Sequence, residues 1–354
     1  MSLPTKTLAA ILVEQKKDLV VDEIFLPRTL DVGQVLVEFY YSGICGSQLG
    51  EIDGVKGPDK WLPHLLGHEA SGKVLAIGPG VRCVKPNQIV VAHWRPSKGI
   101  EADTPKYSWN GRTVNAGQVT TFNRHAIVSE NRLTPIPTET DLKTAALYGC
   151  AVTTGLGTIE NKAQIRLGDL VVIFGAGGIG LNLVQGAVLA GAARVVAVDL
   201  YDNRLALAQR IGATDVINGA IVDAFQTIGQ VLGGEAVDVF VDNTGQPEVI
   251  AKGYQIIKSS GRVVLVGVPK NGAKTSLNTL DLHFGKSITG TMGGQTRPDQ
   301  DIQRYMRLFK SRNISLTPLI TEVAPLQSVN QLISGMRNGE TTGRCLIDFG
   351  TEIV

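Results

Sequence analysis

Three glycines and one aspartate have the spacing of a site that binds a phosphate-bearing ligand. The apolar run from Leu170 to Phe174 is followed by Gly175, Gly177 and Gly180, and the next apolar run ends at Asp199. This pattern predicts a strand, a tight turn and a helix. The first N–H groups of that helix would bind a pyrophosphate, and the aspartate would accept a hydrogen bond from a ribose 2′-hydroxyl. The segment therefore predicts a dinucleotide site.

The three glycines have different expected roles. Gly175 would permit the sharp turn after the strand, Gly177 would let the backbone approach phosphate, and Gly180 would let the helix pack closely on the strand. A membrane-spanning helix is the alternative, because residues 170–193 contain no charged side chain. The glycines at the turn and the lack of a flanking basic cluster favour the dinucleotide site.

Two cysteines and one histidine form a second candidate site. Cys45, His68 and Cys150 are far apart in the sequence, and their spacing alone favours buried thiols that bind nothing. Their chemistry nevertheless suits a catalytic Zn²⁺ ion, because two thiolates and one imidazole leave the fourth tetrahedral position open for water or substrate. From the residues alone, both interpretations stay open.

Composition narrows the class of protein. The chain has 354 residues, 43% hydrophobic and 19% charged, with a formal net charge of +2, which is typical of a globular protein of two domains. Lysines and arginines form no basic stripe, so we expect no nucleic-acid partner and no membrane partner. The N-terminus lacks the features of a signal peptide and the four cysteines are widely spaced, which predicts a reducing, cytoplasmic location.

The order of apolar runs predicts an α/β protein with two domains. Short alternating runs from Leu8 to about Val128 predict a compact β-rich domain, and alternating strands and helices after Asp169 predict a doubly wound parallel sheet. The last segment is expected to return to the first domain. We therefore predict a β-rich domain over 1–151 and 292–354, and a Rossmann cofactor domain over 152–291. A single helix is expected from Asp141 to about Leu156, with Thr138 or Thr140 as its N-cap.

Four motifs together resemble one family. They are GICGS around Cys45, GHEASG around His68, GCAVTTGLG around Cys150, and GAGGIG followed by Asp199. The chain resembles the zinc-containing medium-chain dehydrogenase/reductase family, the alcohol dehydrogenase group, over essentially its whole length. This resemblance implies that the β-rich domain is GroES-like and that Cys45, His68 and Cys150 are ligands of a catalytic zinc ion.

The resemblance also implies roles for single residues. Glu69 resembles the acid that tunes the metal, and Ser47 resembles the hydroxyl that binds the substrate oxygen and starts the proton relay; simple solvation in a loop is the alternative for Ser47. The implied cofactor contacts are Thr154 on the nicotinamide and, in the turn, Gly175, Gly177, Gly178, Ile179 and Gly180. Asp199, Leu200 and Arg204 would lie at the adenosine ribose, and Val266 and Val268 at the carboxamide. Arg344 would lie at the pyrophosphate, with a surface strand position as the alternative for Arg344.

The chain departs from the family pattern in the lobe that holds a structural zinc ion. No cysteine lies between about Arg95 and Gln118, where the family has four. We therefore expect one catalytic zinc per chain and no structural zinc. The lobe would be held by packing around Trp94, Tyr107 and Trp109.

Two further departures lie beside the expected zinc ligands. Gln48 stands where an aspartate often orients the ligand histidine. The loss of one negative charge predicts a more electrophilic zinc ion, so Gln48→Asp should raise the apparent pKa of the pH-rate profile. Gly50 stands where some members have a relay histidine, so the proton is expected to leave through the ribose hydroxyl and water.

The function implied is hydride transfer between an alcohol and NAD, with zinc lowering the pKa of the substrate hydroxyl. Asp199 favours NAD over NADP, although Arg204 leaves NADP open. A polar secondary alcohol such as a sugar, polyol or cyclitol is favoured by the expected lining of Trp61, His93, Trp94, Trp109, Gln48 and Asn110. Cys150 counts against a simple polyol enzyme, because polyol members often have glutamate there. Packing of these aromatic residues in the core is the alternative.

Two other functions remain as alternatives. One is a biosynthetic ketone or aldehyde reductase of the same family, and the other is a catalytically silent NAD-binding protein. The family resemblance also implies a homodimer or homotetramer. Its subunits would pair through the sheet edge expected at Thr275 to Thr291.

Overall fold

The computed structural model describes residues 3–350. The chain forms two compact units: unit 1 runs to Cys150 and resumes at Arg297, and unit 2 is Ala151–Thr296. The boundaries expected from the sequence lie after residue 151 and before residue 292.

Within residues 3–350, the two units contain eighteen strands and ten α-helices. The strands are β1 (Lys6–Leu12), β2 (Val20–Phe25), β3 (Gln34–Ile44), β4 (His64–Leu65), β5 (Glu69–Ile77), β6 (Ile89–His93), β7 (Tyr107–Trp109), β8 (Arg112–Val114), β9 (His125–Ser129), β10 (Leu133–Pro135), β11 (Leu170–Phe174), β12 (Arg194–Asp199), β13 (Asp215–Asn218), β14 (Val237–Asp242), β15 (Ile257–Leu265), β16 (Ser287–Gly290), β17 (Ile320–Pro325) and β18 (Arg344–Asp348). The helices are α1 (Gly46–Ile52), α2 (Leu142–Ala146), α3 (Ala151–Thr158), α4 (Gly178–Leu189), α5 (Asp202–Arg210), α6 (Ala224–Val231), α7 (Pro247–Ile256), α8 (Leu280–His283), α9 (Pro298–Ser311) and α10 (Val329–Arg337).

Unit 1 is built on two sheets. One has five strands in the order β4-β1-β2-β7-β8, and the other has the order β10-β6-β5-β3-β18-β17, with β9 also paired to β3. The long strand β3 carries buried residues along most of its length, because sheet neighbours and packed side chains cover both of its faces. β18 pairs antiparallel with β3, so the last described strand lies beside the residues that precede Cys45.

Unit 2 is a doubly wound α/β fold. Its six strands are parallel and have the order β13-β12-β11-β14-β15-β16, so the chain order reverses between β11 and β14. The inner strands read as continuous apolar runs because helices cover both faces of such a sheet. Ligands bind at the carboxyl ends of the strands where the order reverses. The predicted α/β fold class is confirmed, with β11 at the predicted bounds.

The possible membrane span is wrong. Residues 170–193 form β11 and the 12-residue helix α4, which is shorter than a bilayer requires. Within residues 3–350, none of the helices combines the length and the apolar character that crossing a bilayer demands.

The helical stretch expected from Asp141 has a different N-cap from the two threonines that the sequence offered. Asp141 is its N-cap, and the Asp141 carboxylate accepts hydrogen bonds from the N–H groups of Lys143 and Thr144. Thr138 and Thr140 were therefore the wrong caps. An aspartate at the N-cap satisfies two N–H groups that the first turn of a helix leaves unpaired.

Candidate functional site

Cys45 lies just after the end of β3, and His68 lies just before the start of β5, the strand that pairs with it in unit 1. Cys45 follows the last residue of β3 and is the N-cap of α1, with extended backbone angles (φ −105°, ψ 150°). His68 directly precedes β5 and follows Gly67, whose φ of +88° suits glycine. A Cβ at Gly67 would lie 2.3 Å from Thr121 Oγ1. Because β3 and β5 pair antiparallel, the end of one strand lies beside the start of the other.

Cys150 reaches the same place because the chain breaks a helix there. The single helix expected from Asp141 to about Leu156 is wrong: α2 is followed by a 3₁₀ turn, Leu147–Gly149, and then by α3. Cys150 lies at the break, with φ −148° and ψ −63°. A Cβ at Gly149 would lie 2.3 Å from the carbonyl oxygen of Ala92, so the backbone packs directly on β6. This close contact turns the cysteine toward the start of β5.

The three predicted zinc ligands come together in unit 1. One ligand atom each from Cys45, His68 and Cys150 lies within 4.8 Å of the other two. Tetrahedral zinc with bonds of about 2.0–2.3 Å holds its ligand atoms roughly 3.4–3.8 Å apart, so the arrangement fits the ion. The Nε2 atom of His68 is buried and has no hydrogen-bond partner in the described part of the chain, which suits a metal ligand. Across residues 3–350 no other group of three such side chains has this arrangement.

The two thiols differ in their tendency to ionise. A hydrogen bond with Cys150 lowers the pKa of Cys45 well below its ordinary value, against the effect of burial and with the help of Arg344. The same hydrogen bond, together with burial, raises the pKa of Cys150 well above its ordinary value. Burial would lower the pKa of His68, but the Cys45 sulfur and the Glu69 carboxylate raise it. A cation is therefore needed to stabilise the second thiolate.

Glu69 and Arg344 form a buried ion pair next to the thiols. Arg344 Nε lies 2.9 Å from Glu69 Oε1, and the two side chains are 4% and 0% exposed. Arg344 Nη1 also donates to the carbonyl oxygen of Ile44 at 3.1 Å. Burial would lower the pKa of Arg344, but Glu69, Cys45 and Cys150 raise it. Arg344 is not the surface strand residue that the sequence left open, and its contact with a pyrophosphate stays a prediction.

Two glycines leave the space that Glu69 occupies, and the sequence analysis missed both. A Cβ at Gly43 would lie 2.3 Å from Glu69 Oε1, and a Cβ at Gly149 would lie 2.7 Å from the Glu69 Cβ. Gly43 lies inside β3, where an isolated glycine is a signal of close approach. The partner of that approach could not be read from the sequence.

Gln48 contacts His68 as the sequence predicts, through a buried amide. Its Oε1 accepts a hydrogen bond from the Cys45 N–H at 2.9 Å, and its Nε2 faces His68 Nδ1. Gln48 is 1% exposed. Ser47 precedes it in the first turn of α1 and is exposed, which leaves its hydroxyl accessible on unit 1.

The glycine turn of unit 2 has the geometry of a dinucleotide cradle. Gly175 has a φ of +99°, which permits the turn after β11. A Cβ at Gly180 would lie 1.9 Å from the Gly175 carbonyl oxygen, so α4 and the turn can pack only around glycine. Gly177 is the N-cap of α4, and a Cβ there would meet nothing within 4 Å. That open side of the helix N-terminus fits an approaching phosphate, with Gly178 and Ile179 in the first turn.

Asp199 ends β12 and is already a strong hydrogen-bond acceptor. Its carboxylate accepts from the N–H groups of Ala176 at 2.7 Å, Leu200 at 2.8 Å and Tyr201 at 3.2 Å. A carboxylate has about four acceptor positions, so one remains for a ribose hydroxyl. Arg204 Nη1 lies 3.6 Å from the same carboxylate and its guanidinium lies over the Tyr201 ring.

The remaining predicted cofactor residues all lie in unit 2. Thr154 is buried on α3, and its Oγ1 has no hydrogen-bond partner among the residues that the structure describes. Leu200 and Val268 are exposed at 56% and 61%, and Val266 donates its N–H to the Asp242 carbonyl oxygen at 2.8 Å. The contacts of these four residues with a cofactor stay predictions.

The expected substrate lining is wrong for His93, and Trp109 has a structural partner in the sheet. His93 is fully buried, with Nδ1 hydrogen-bonded to the Arg95 carbonyl oxygen at 2.7 Å and Nε2 to Thr134 Oγ1 at 2.9 Å. Burial lowers the pKa of His93 to about 4. Trp109 donates its indole N–H to Asp22 at 2.7 Å in the five-stranded sheet. Both residues have structural partners, because buried polar groups need hydrogen bonds.

The chain therefore contains two candidate sites. One is a buried set of two thiols and one imidazole, and the other is a glycine turn with an aspartate at the end of the next strand. Such a combination is typical of metal-assisted oxidoreductases that use a dinucleotide.

Comparisons with known proteins agree with that class. Residues 31–138 match the alcohol dehydrogenase GroES-like domain, and residues 178–311 match the zinc-binding dehydrogenase domain. The chain is similar to the S-(hydroxymethyl)glutathione dehydrogenase of Synechocystis sp., with 31% identity over 95% of this chain and 98% of the relative. It is also similar to the NDMA-dependent alcohol dehydrogenase of Amycolatopsis methanolica, with 30% identity over 95% of this chain and 97% of the relative. The crystal structure of benzyl alcohol dehydrogenase from Acinetobacter calcoaceticus has a TM-score of 0.86 at 26% identity and covers 97% of this chain and 99% of that one.

The chain thus belongs to the zinc-containing medium-chain alcohol dehydrogenase family. Its reaction class is the oxidation and reduction of alcohol and carbonyl groups. Unit 1 is the GroES-like catalytic domain, as the resemblance implied.

Proposed function

We propose that this protein is a zinc-dependent dehydrogenase that oxidises a polar secondary alcohol with NAD. The observation that carries the proposal is the charge of the buried site. When a metal displaces the protons of Cys45 and Cys150, their two thiolates and the carboxylate of Glu69 are offset by the single positive charge of Arg344. In that state the site has a net charge of −2, which a divalent cation neutralises.

The chain's own residues supply binding and proton transfer. Bound zinc provides a Lewis acid for the substrate oxygen, and bound NAD provides the hydride acceptor. Cys45, His68 and Cys150 would hold the metal, and three protein ligands would leave one position for the substrate. Ser47, exposed beside Cys45, accepts the hydroxyl proton and passes it to solvent.

The preference for NAD is proposed for the Asp199 carboxylate. A 2′-phosphate would bring negative charge to a carboxylate that accepts three backbone hydrogen bonds and cannot turn away without breaking them. Asp199→Ser should therefore reduce the ratio of kcat/KM for NAD over NADP by at least about tenfold, the size of one lost charge interaction. An unchanged ratio would refute this role.

Metal content and a substrate panel test the proposal as a whole. Freshly purified protein should contain one zinc per chain by elemental analysis, and Cys45→Ala should lose both zinc and activity. Cys83→Ala is the matched control, since Cys83 is an exposed thiol outside the ligand group and its loss should change neither. The panel should contrast sugars, polyols and cyclitols with benzyl alcohol and S-(hydroxymethyl)glutathione, which the relatives' names suggest as primary-alcohol alternatives. Zinc retained without turnover on alcohols or ketones would favour the catalytically silent alternative.

Location and assembly complete the proposal. We propose a cytoplasmic homodimer or homotetramer with no structural zinc. Within residues 3–350 none of the four cysteines forms a disulfide, which supports a reducing compartment. In the described sheet of unit 2, β16 pairs with β15 on one side only, and its other edge is available to a second subunit. Light scattering on the purified protein distinguishes these states from a monomer.

A further inference from the structure

The orientation of the Gln48 amide is fixed by a group that can only donate. The backbone N–H of Cys45 points at Gln48 Oε1 at 2.9 Å, and an N–H requires an acceptor. The oxygen of the amide must therefore lie on the Cys45 side. Its NH₂ group then faces Nδ1 of His68. The Cys45 N–H thus fixes which end of this buried amide is the oxygen, an assignment that is otherwise ambiguous.

The NH₂ group conflicts with the form of histidine that binds zinc. A neutral imidazole has one proton, and a histidine that binds a metal through Nε2 carries that proton on Nδ1. Nε2 is the ring nitrogen of His68 without a protein partner in the described chain, so it is the one available to the metal. Nδ1–H of His68 would then face the NH₂ of Gln48, and two donors would meet without an acceptor.

We infer that Gln48 is a positioning residue that weakens zinc binding by favouring the wrong tautomer of His68. The inference rests on the proposed zinc site and concerns how tightly that site holds its ion. To accept the Nδ1–H bond, the amide must turn over and break its hydrogen bond to Cys45. A carboxylate at this position has two acceptor oxygens and satisfies both donors at once.

Gln48→Glu is the variant that tests this effect, because glutamate has the same length and offers two acceptors, although it also adds a negative charge. We expect its zinc dissociation constant, measured by competition with a chromophoric chelator, to be about tenfold to a hundredfold lower than that of the unchanged protein. Glu51→Gln is the control for charge, since Glu51 acts on His68 through charge alone. It should change the dissociation constant less than threefold.

Which ring nitrogen of His68 carries the proton can be measured, and a change of charge alone would not alter it. The chain has five histidines, so ¹⁵N-histidine NMR of the zinc-free protein is tractable, with His68→Asn to assign the signal. At a pH where the ring is neutral, we expect the proton on Nε2 in the unchanged protein and on Nδ1 in Gln48→Glu.

The outcomes separate this inference from the proposed function. A proton on Nδ1 in the unchanged protein, or a zinc affinity that Gln48→Glu does not raise, would overturn the inference while leaving the zinc enzyme intact. A protein that binds no zinc in either form would overturn the proposed function, and the NMR tautomer would still decide the role of Gln48.

Discussion

Replacing Arg344 by methionine should destabilise unit 1 strongly, because it leaves the fully buried Glu69 carboxylate without its counter-charge. At 2.9 Å and an effective dielectric constant of about 20, the attraction in this pair is roughly 6 kcal/mol. The variant no longer has to bury the arginine charge, which offsets part of that loss. The expected net cost is about 3–5 kcal/mol, as for other buried pairs that lose one partner.

Scanning calorimetry of the chelator-treated protein is the assay, because bound zinc would otherwise add its own stabilisation. In a unit of about two hundred residues, 1 kcal/mol lowers the melting temperature by roughly 2–4 °C, so a fall of roughly 6–20 °C is expected. Arg337→Met is the matched control. It breaks the ion pair with Asp53 at 2.5 Å, but these side chains are 38% and 43% exposed, so less than about 1 kcal/mol should be lost.

A double variant tests the cause of the effect. Glu69→Gln combined with Arg344→Met removes both charges, and it should recover at least half of the loss in melting temperature. If Arg344→Met proves no worse than Arg337→Met, the buried pair does not carry the stability that the geometry implies. If the double variant is worse than the single one, the loss comes from packing and not from an unpaired charge.

Two further predictions concern the glycine turn of unit 2 and the buried His93. Gly180→Ala should lower the melting temperature of unit 2, since its Cβ would lie 1.9 Å from a carbonyl oxygen. Gly177→Ala should keep the fold and weaken NAD binding at least tenfold in calorimetric titration. Equal losses of melting temperature in the two variants would contradict this prediction. Burial lowers the pKa of His93 from 6.5 to about 4. The fold therefore holds the neutral imidazole, whose contribution to stability is complete above pH 6.5 and falls by about 3 kcal/mol as the pH falls to 4. Urea unfolding between pH 7 and 4 should show this loss, and His93→Gln should lack it.

Much of unit 2 could be predicted from the sequence because its signals are local. β11 has the predicted bounds, and β12 ends at Asp199, where the sequence analysis ends the next apolar run. A strand buried on both faces reads as a continuous apolar run, and the glycines that follow it have one steric explanation each. Asp199 could be placed for the same reason, since its distance from the turn is set by one helix and one strand.

The break at Cys150 could not be predicted in this way. Residues 141–156 have the composition of one helix, and only the approach of Gly149 to the Ala92 carbonyl oxygen, from a strand far away in the chain, interrupts it. The expected substrate role of His93 failed for a similar reason. Its hydrogen bonds to Arg95 and Thr134 depend on the pairing of β6 with β10.

The sequence by itself determined which chemistry this chain carries: two thiols, one imidazole, an adjacent acid and a glycine turn of fixed spacing. The tertiary structure alone decided how those groups act on one another. Strand pairing brings Arg344 from the end of the chain to Glu69, and the Cys45 N–H sets which end of the Gln48 amide meets His68. Residue types record which bonds a side chain can make, whereas the partner of each bond depends on contacts between distant segments.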